Sequence, residues 1–206
     1  MKNLDLSLYL VTDKSDDKER FLKTIEEAIK GGVSVVQIRE KTADTKDFYN
    51  LALKVKEITA KYNVPLIIND RVDIALAIDA DGVHVGQSDM PCDITRKLIG
   101  NDKILGVSAA TIEEAKKAQK DGADYIGTGA VFPTTTKDDA PSITKKELKE
   151  IVDSINIPVV AIGGITLENA KELVDTGIKG LSVVSAIMSS DNPKKSSEEL
   201  LNIFNS

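Results

Sequence analysis

The sequence predicts a single-domain α/β fold, a closed (β/α)8 TIM barrel over residues 1–206. Three observations lead there: eight short apolar runs recur along the chain, helical patterns separate most of them, and polar or charged bursts follow the runs. Strict β–α alternation implies a parallel sheet, and eight units favour closure into a barrel. The polar bursts would then share one rim, where barrels collect their catalytic residues.

The first strand is expected at Leu6–Val11. Phe21, Leu22, Ile25, Ala28 and Ile29 then keep helical spacing up to Gly31-Gly32, where glycine suits the left-handed position that ends a helix. Val33–Arg39 is the second strand and runs into Glu40-Lys41. A helix carrying Phe48, Leu51, Ala52, Val55 and Ile58 precedes the third, Pro65–Asn69, which meets Asp70-Arg71 and a short helix Val72–Ile78. The fourth, Gly82–Val85, leads into Gly86-Gln87-Ser88-Asp89 and a loop over Asp89–Asp93. Ile104–Ser108 is the fifth; Ile112, Ala115 and Ala118 mark the next helix, ending at Gly122 before the sixth strand, Tyr125–Gly129. Phe132–Ser142 reads as a long loop. The seventh strand, Pro158–Ile162, meets Gly163-Gly164. Ala170, Leu173 and Val174 keep helical spacing to Gly177, and the eighth strand, Gly180–Val184, ends in a short helical Ala186-Ile187-Met188. Three S/T-x-x-E motifs, Thr111 to Glu114, Thr144 to Glu147 and Ser196 to Glu199, predict helix starts.

Composition narrows the function. Hydrophobic residues make up 41% and charged residues 29%, an ordinary soluble balance. No apolar stretch reaches membrane-span length, and the first residues lack a signal-peptide pattern, so no membrane partner is expected. One cysteine, Cys92, rules out an internal disulfide framework and suits a reducing cytoplasm, with Cys92 itself read as a small helix-start residue. One cysteine and one histidine also exclude a zinc site built mainly from those ligands. A formal net charge of −6 argues against nucleic acid as a partner. It leaves small anions open, because salt screens surface charge beyond roughly 8–10 Å and a local basic cluster governs its own pocket.

Three constellations carry chemistry. Gly163-Gly164 and Val184-Ser185 end adjacent strands, where exposed backbone N–H groups bind phosphate in barrels; the plain alternative for Gly-Gly is a tight turn. Asp70 and Asp89 follow neighbouring strands, and two carboxylates there could hold Mg2+, which takes few protein oxygens plus waters and phosphates. Taken singly, Asp70 could cap the following helix and Asp89 could be a solvated loop residue. Arg39, Lys41 and Lys137, with Gln37 and the hydroxyls of Thr134, Thr135 and Thr136, would clamp phosphates and stabilise a departing diphosphate. The plain reading of Arg39-Glu40-Lys41 is a solvated charge run. Convergence on one rim favours two phosphorylated substrates, or one with phosphates at both ends. His84, inside an apolar strand, is expected to be a hydrogen-bonded core residue, and Asn69 either binds substrate or caps a turn.

The ordered set Gln37–Lys41, Ile68–Asp73, Asp81–Asp89, Gly106-Val107-Ser108, Gly122–Gly127, Phe132–Lys137, Ala161–Ile165 and Val183–Ile187 resembles the thiamine phosphate synthase family, also called thiamine-phosphate pyrophosphorylase. The resemblance covers nearly the whole chain. It implies a transferase that joins an aminopyrimidine carried as a methyl diphosphate to a thiazole bearing an ethyl phosphate. By that resemblance Gln37, Ile38, Arg39, Glu40, Lys41, Asn69, Ser108 and Lys137 would hold the pyrimidine diphosphate, with Arg39, Lys41 and Lys137 catalytic. Thr134, Thr135, Thr136, Gly164, Val184 and Ser185 would hold the thiazole phosphate, and Asp70 and Asp89 would ligate Mg2+. Two stretches depart from the family pattern. Ala109-Ala110-Thr111 follows Ser108 where a polar or histidine-containing turn is expected, and Asp138–Ser142 lacks a glycine. The alternatives are a thiazole tautomerase-like isomerase, for which Ala110 leaves no acid–base histidine, and a non-catalytic thiamine-phosphate-binding barrel, which would not need Asp70, Asp89 or Lys137. A homo-oligomer is left open.

Overall fold

Strands and helices alternate through a computed structural model, which describes residues 4–134 and 142–206. The strands are β1 (Leu8–Val11), β2 (Val35–Ile38), β3 (Leu66–Asn69), β4 (Gly82–Val85), β5 (Ile104–Ser108), β6 (Tyr125–Thr128), β7 (Val159–Ile162) and β8 (Gly180–Val183). They form a closed parallel barrel in chain order, in which Leu10 of β1 pairs with Val36 of β2 on one side and Val183 of β8 on the other. The expected fold class holds. Strand β2 stops short of the end of its expected run because the Arg39 N–H donates to the Thr12 side chain, Oγ1 at 3.1 Å, and not to a backbone carbonyl.

Helices α1 (Lys18–Lys30), α2 (Thr45–Lys61), α3 (Val72–Ala77), α4 (Cys92–Ile99), α5 (Ile112–Lys120) and α6 (Lys145–Ser154) surround the barrel, followed by a 3₁₀ helix at Ala170–Thr176, α7 (Ser185–Met188) and α8 (Pro193–Phe204). The start motifs fared differently. Thr144 and Glu147 make the full reciprocal capping box of α6. Thr111 caps α5, but its Glu114 reaches the Ala110 N–H instead. Ser196–Glu199 lies within α8, because Asn192 accepts from the Lys195 N–H and Pro193 already occupies the first turn. Cys92 opens α4 and is buried.

Period-two alternation sorts the strand side chains into two layers. Outward residues such as Leu8, Leu10, Val36, Ile38, Ile68 and Val83 pack under the helices in one large core. Inward residues Tyr9, Val11, Val35, Ile67, Tyr125 and Val160 form a second, smaller core inside the barrel. Among the described residues, no helix is long and apolar enough to cross a membrane.

Closure depends on close backbone approach where β8 meets the segment entering β1. A side chain at Gly180 would run into the Leu6 carbonyl, backbone that cannot swing aside. Gly180→Ala is therefore expected to lower unfolding stability by about 1–3 kcal/mol through overpacking. Urea denaturation followed by circular dichroism measures this, and an unchanged midpoint would contradict it.

Candidate active site

Inward side chains at the C-terminal strand ends open into a cavity of about 800 Å3. Its walls come from all eight strands and most of the loops that follow them, so residues distant in sequence meet on one rim.

On the β2–β4 side, Arg39 and Lys41 stand beside Asn69, Asp70 and Asp89. Strand β3 ends in a tight turn in which Asp70 takes a left-handed backbone, φ 61°, a conformation asparagine and aspartate tolerate better than most side chains. Its N–H donates to the His84 carbonyl at 2.8 Å, and the Val72 N–H donates to its own carbonyl at 3.1 Å. Asp70 does not cap α3, whose first turn has no side-chain cap. The carboxylate instead meets Lys41 Nζ in an ion pair and lies in hydrogen-bond contact with Asp89. Asp89 Oδ2 also accepts from the Gly86 N–H at 2.8 Å, which fixes the loop after β4.

These contacts set the two carboxyls apart. Burial, then the hydrogen bond to Asp89, hold Asp70 above its ordinary value, against the opposing pull of Lys41. Burial also pushes Asp89 upward, but its hydrogen bond to Asp70, the Gly86 N–H and the Lys41 charge leave it below its ordinary value. Two carboxyls in contact and partly desolvated repel one another when both are ionised, an arrangement that suits a hard cation bound through few protein oxygens. Among the described residues, no third histidine, cysteine or carboxylate completes an all-protein metal cage.

On the β6–β8 side, Thr134, Gly164, Val184 and Ser185 line the opposite wall. Gly163 and Gly164 both have positive φ, 99° and 66°, and a side chain at Gly164 would stand 2.7 Å from the Phe132 carbonyl. Only glycine lets the loop after β7 lie flat against the loop after β6. Asn169 Nδ2 donates to the Gly164 carbonyl at 2.9 Å and holds that turn.

The remaining expected positions divide. Gln37 and Ser108 line the cavity floor. Ile38 points outward into the core under the helices, and Glu40 faces a separate hollow of about 270 Å3, where its carboxylate accepts from Thr42 and Ala43 N–H groups. Neither side chain reaches the main cavity, because a strand turns alternate residues to opposite faces. Thr135, Thr136 and Lys137 lie outside the described residues. Ala109 and Ala110 line the cavity beside Ser108, and Glu114 secures their turn.

Sequence reasoning passed over Tyr9, Tyr125 and Gln87, which also face the cavity. The two tyrosines occupy inward strand positions, and that alternation was the available signal. Gln87 Nε2 donates to the Ser108 carbonyl at 2.7 Å, tying the β4 loop to the end of β5. His84 is a buried, hydrogen-bonded core residue as expected, but it also faces the cavity, with Nδ1 2.9 Å from the Tyr125 hydroxyl and Nε2 2.9 Å from Ser108 Oγ.

Known proteins converge on one assignment. A family model described as thiamine monophosphate synthase matches residues 8–187. The thiamine-phosphate synthase of Methanobrevibacter smithii is 76% identical, with 99% of this chain and 98% of that protein aligned. The protein of that name from Clostridium tetani is 58% identical over the same shares. A solved structure of thiamine phosphate pyrophosphorylase from Pyrococcus furiosus superposes with a TM-score of 0.89 at 41% identity, covering 98% of this chain and 96% of that one. A match of this extent, over a barrel whose strand ends carry the expected motifs, shows that the chain belongs to the thiamine monophosphate synthase family.

Proposed function

We propose that this transferase joins an aminopyrimidine methyl diphosphate to a thiazole, with or without a carboxyl group, that bears an ethyl phosphate. The products are thiamine phosphate and diphosphate. The observation that carries the reading is the two-sided cavity. Arg39, Lys41, Asp70 and Asp89 form one wall and Gly164, Val184 and Ser185 the other, with polar Gln37 and Ser108 on the floor. A diphosphate fits the first wall and a monophosphate the second, so two anionic substrates can meet over the floor without sharing a charge pocket.

The substitution is dissociative. The methylene C–O bond breaks, its electron pair leaves with diphosphate, and the thiazole nitrogen lone pair then forms the new C–N bond. The aminopyrimidine spreads the intermediate positive charge, so no general base is required. Arg39 and Lys41 neutralise charge growing on the leaving group, and Lys137 is assigned the same role from the family pattern. Among the described residues Arg39 has no carboxylate partner, which leaves its charge for a ligand. Asn69, Ser108 and Gln37 orient the pyrimidine, and Thr134 to Thr136 the thiazole phosphate. Asp70 and Asp89 would hold Mg2+, which when bound supplies positive charge beside the diphosphate. The walls also exclude water, which would otherwise capture the cation.

Diphosphate release is expected only when both substrates and Mg2+ are present, and a chelator should abolish it. Tight binding of thiamine phosphate without release would point to a non-catalytic barrel.

Asp70→Gly separates the site from the fold. Glycine relieves left-handed backbone strain of roughly 1–3 kcal/mol against a chain-entropy cost of roughly 0.5–1 kcal/mol, and it removes the repulsion with Asp89 together with the exposed Lys41 ion pair. Stability should therefore hold or rise while turnover falls about a hundredfold or more, the scale of losing a main electrostatic group. Retained turnover, or marked destabilisation, would count against this role.

A further inference from the structure

A chain of buried polar groups crosses the inside of the barrel along the cavity floor. Gln37 Nε2 donates to the Tyr9 hydroxyl at 2.8 Å, the Tyr9 and Tyr125 hydroxyls are 2.6 Å apart, and Tyr125 meets His84 Nδ1 at 2.9 Å. His84 Nε2 then meets Ser108 Oγ at 2.9 Å. The chain thus links β2, β1, β6, β4 and β5, and its two ends are cavity-lining residues assigned to the pyrimidine.

Its direction follows from counting protons. Tyr9 receives a hydrogen bond from Gln37, so its own proton needs an acceptor, and the Tyr125 oxygen is the one in reach. Tyr125 must then donate onward to His84 Nδ1, which leaves Nε2 carrying the ring proton toward Ser108. The reverse direction strands the Tyr9 proton in a fully buried site, at the cost of an unmade hydrogen bond. Burial holds both phenols well above their ordinary values, so both remain proton donors throughout the working pH range.

The surrounding backbone makes room for this chain. A side chain at Gly106 of β5 would collide with the Tyr125 hydroxyl and come within 2.5 Å of His84 Nδ1, and one at Gly127 of β6 would press on the His84 ring at 3.2 Å. Two inward positions on adjacent strands are therefore kept free of side chains where the hydroxyl and the imidazole meet.

We propose that Tyr9 and Tyr125 are positioning residues whose hydroxyls, through a one-way hydrogen-bond chain, fix His84 as the Nε2–H tautomer, turn Ser108 into a donor toward the ligand and hold Gln37 with its carbonyl as the remaining acceptor. The floor then selects a flat heterocycle with an amino donor on one side and a ring-nitrogen acceptor on the other. This deepens the proposed function and rests on its placement of the pyrimidine over Gln37 and Ser108.

His84 is the only histidine in the chain, so 15N-histidine labelling gives one unambiguous pair of ring signals. At neutral pH the wild-type protein should show an Nε2–H ring with an unprotonated Nδ1. Tyr125→Phe should yield a mixture of tautomers and lower kcat/KM for the aminopyrimidine diphosphate about tenfold, the rate equivalent of one lost buried hydrogen bond. KM for the thiazole phosphate should stay unchanged, which a general loss of structure would not allow. If Tyr125→Phe does not fold, Tyr9→Phe takes its place: Tyr125 then still donates to His84 and the ring stays Nε2–H, while Gln37 loses the hydroxyl that holds it and kcat/KM for the aminopyrimidine diphosphate falls; an unaltered kcat/KM there overturns the proposal. An Nδ1–H or doubly protonated ring in the wild type overturns the proposal, as does an unaltered kcat/KM in a variant whose tautomers have mixed. The spectrum reads the chain without turnover, so an inactive wild type with an Nε2–H ring counts against the assigned reaction and not against the chain.

Discussion

Everything at the site depends on β8 pairing with β1. That parallel contact, Leu8 opposite Leu181 through Leu10 opposite Val183, turns a row of eight strands into a ring. A ring has no sheet edge to protect, and it brings the C-terminal end of every strand to the same rim. Asp70, Asp89, Gly164 and Ser185 are spread over more than a hundred residues of chain, yet closure makes them walls of one cavity. Where the chain enters β1, the approach is so close that β8 must begin with a residue lacking a side chain.

The closed ring also separates two tasks. Its outer face buries most of the apolar residues against the helices, and this layer supplies the bulk of the stabilisation. The inner face is released from that duty. It can hold two tyrosines, a histidine, a glutamine and a serine at a low apolar cost because they satisfy one another. The rim tolerates further strain: Asp70 sits in a left-handed conformation, in contact with a second carboxyl. Such local costs are retained where a ligand makes use of them.

Much of this was legible in the residues. Eight short apolar runs, most of them separated by helical patterns, specified a barrel, and the strand ends came within about two residues of their positions. Asp70, Asp89, Arg39, Lys41, Gly164 and Ser185 were readable as rim residues because each lies within four residues of the end of a run. Ile38 and Glu40 were harder, since the family motif spans consecutive residues while a strand turns alternate ones away from the cavity. Ser196 misled because a start motif carries no information about an earlier, better cap at Asn192. The polar chain was not legible at all. Gln37, Tyr9, Tyr125, His84 and Ser108 come from five strands, and their contact depends on the register of the closed ring.

In the proposed reaction the two walls receive different anions at the same time. The most direct test is a crystal structure with thiamine phosphate and diphosphate bound together with Mg2+. Diphosphate beside Arg39, Lys41 and the Asp70–Asp89 pair, with the phosphate of the product against Gly164 and Ser185, is the predicted arrangement. Both anions on one wall, or a product lying outside the cavity, would contradict it.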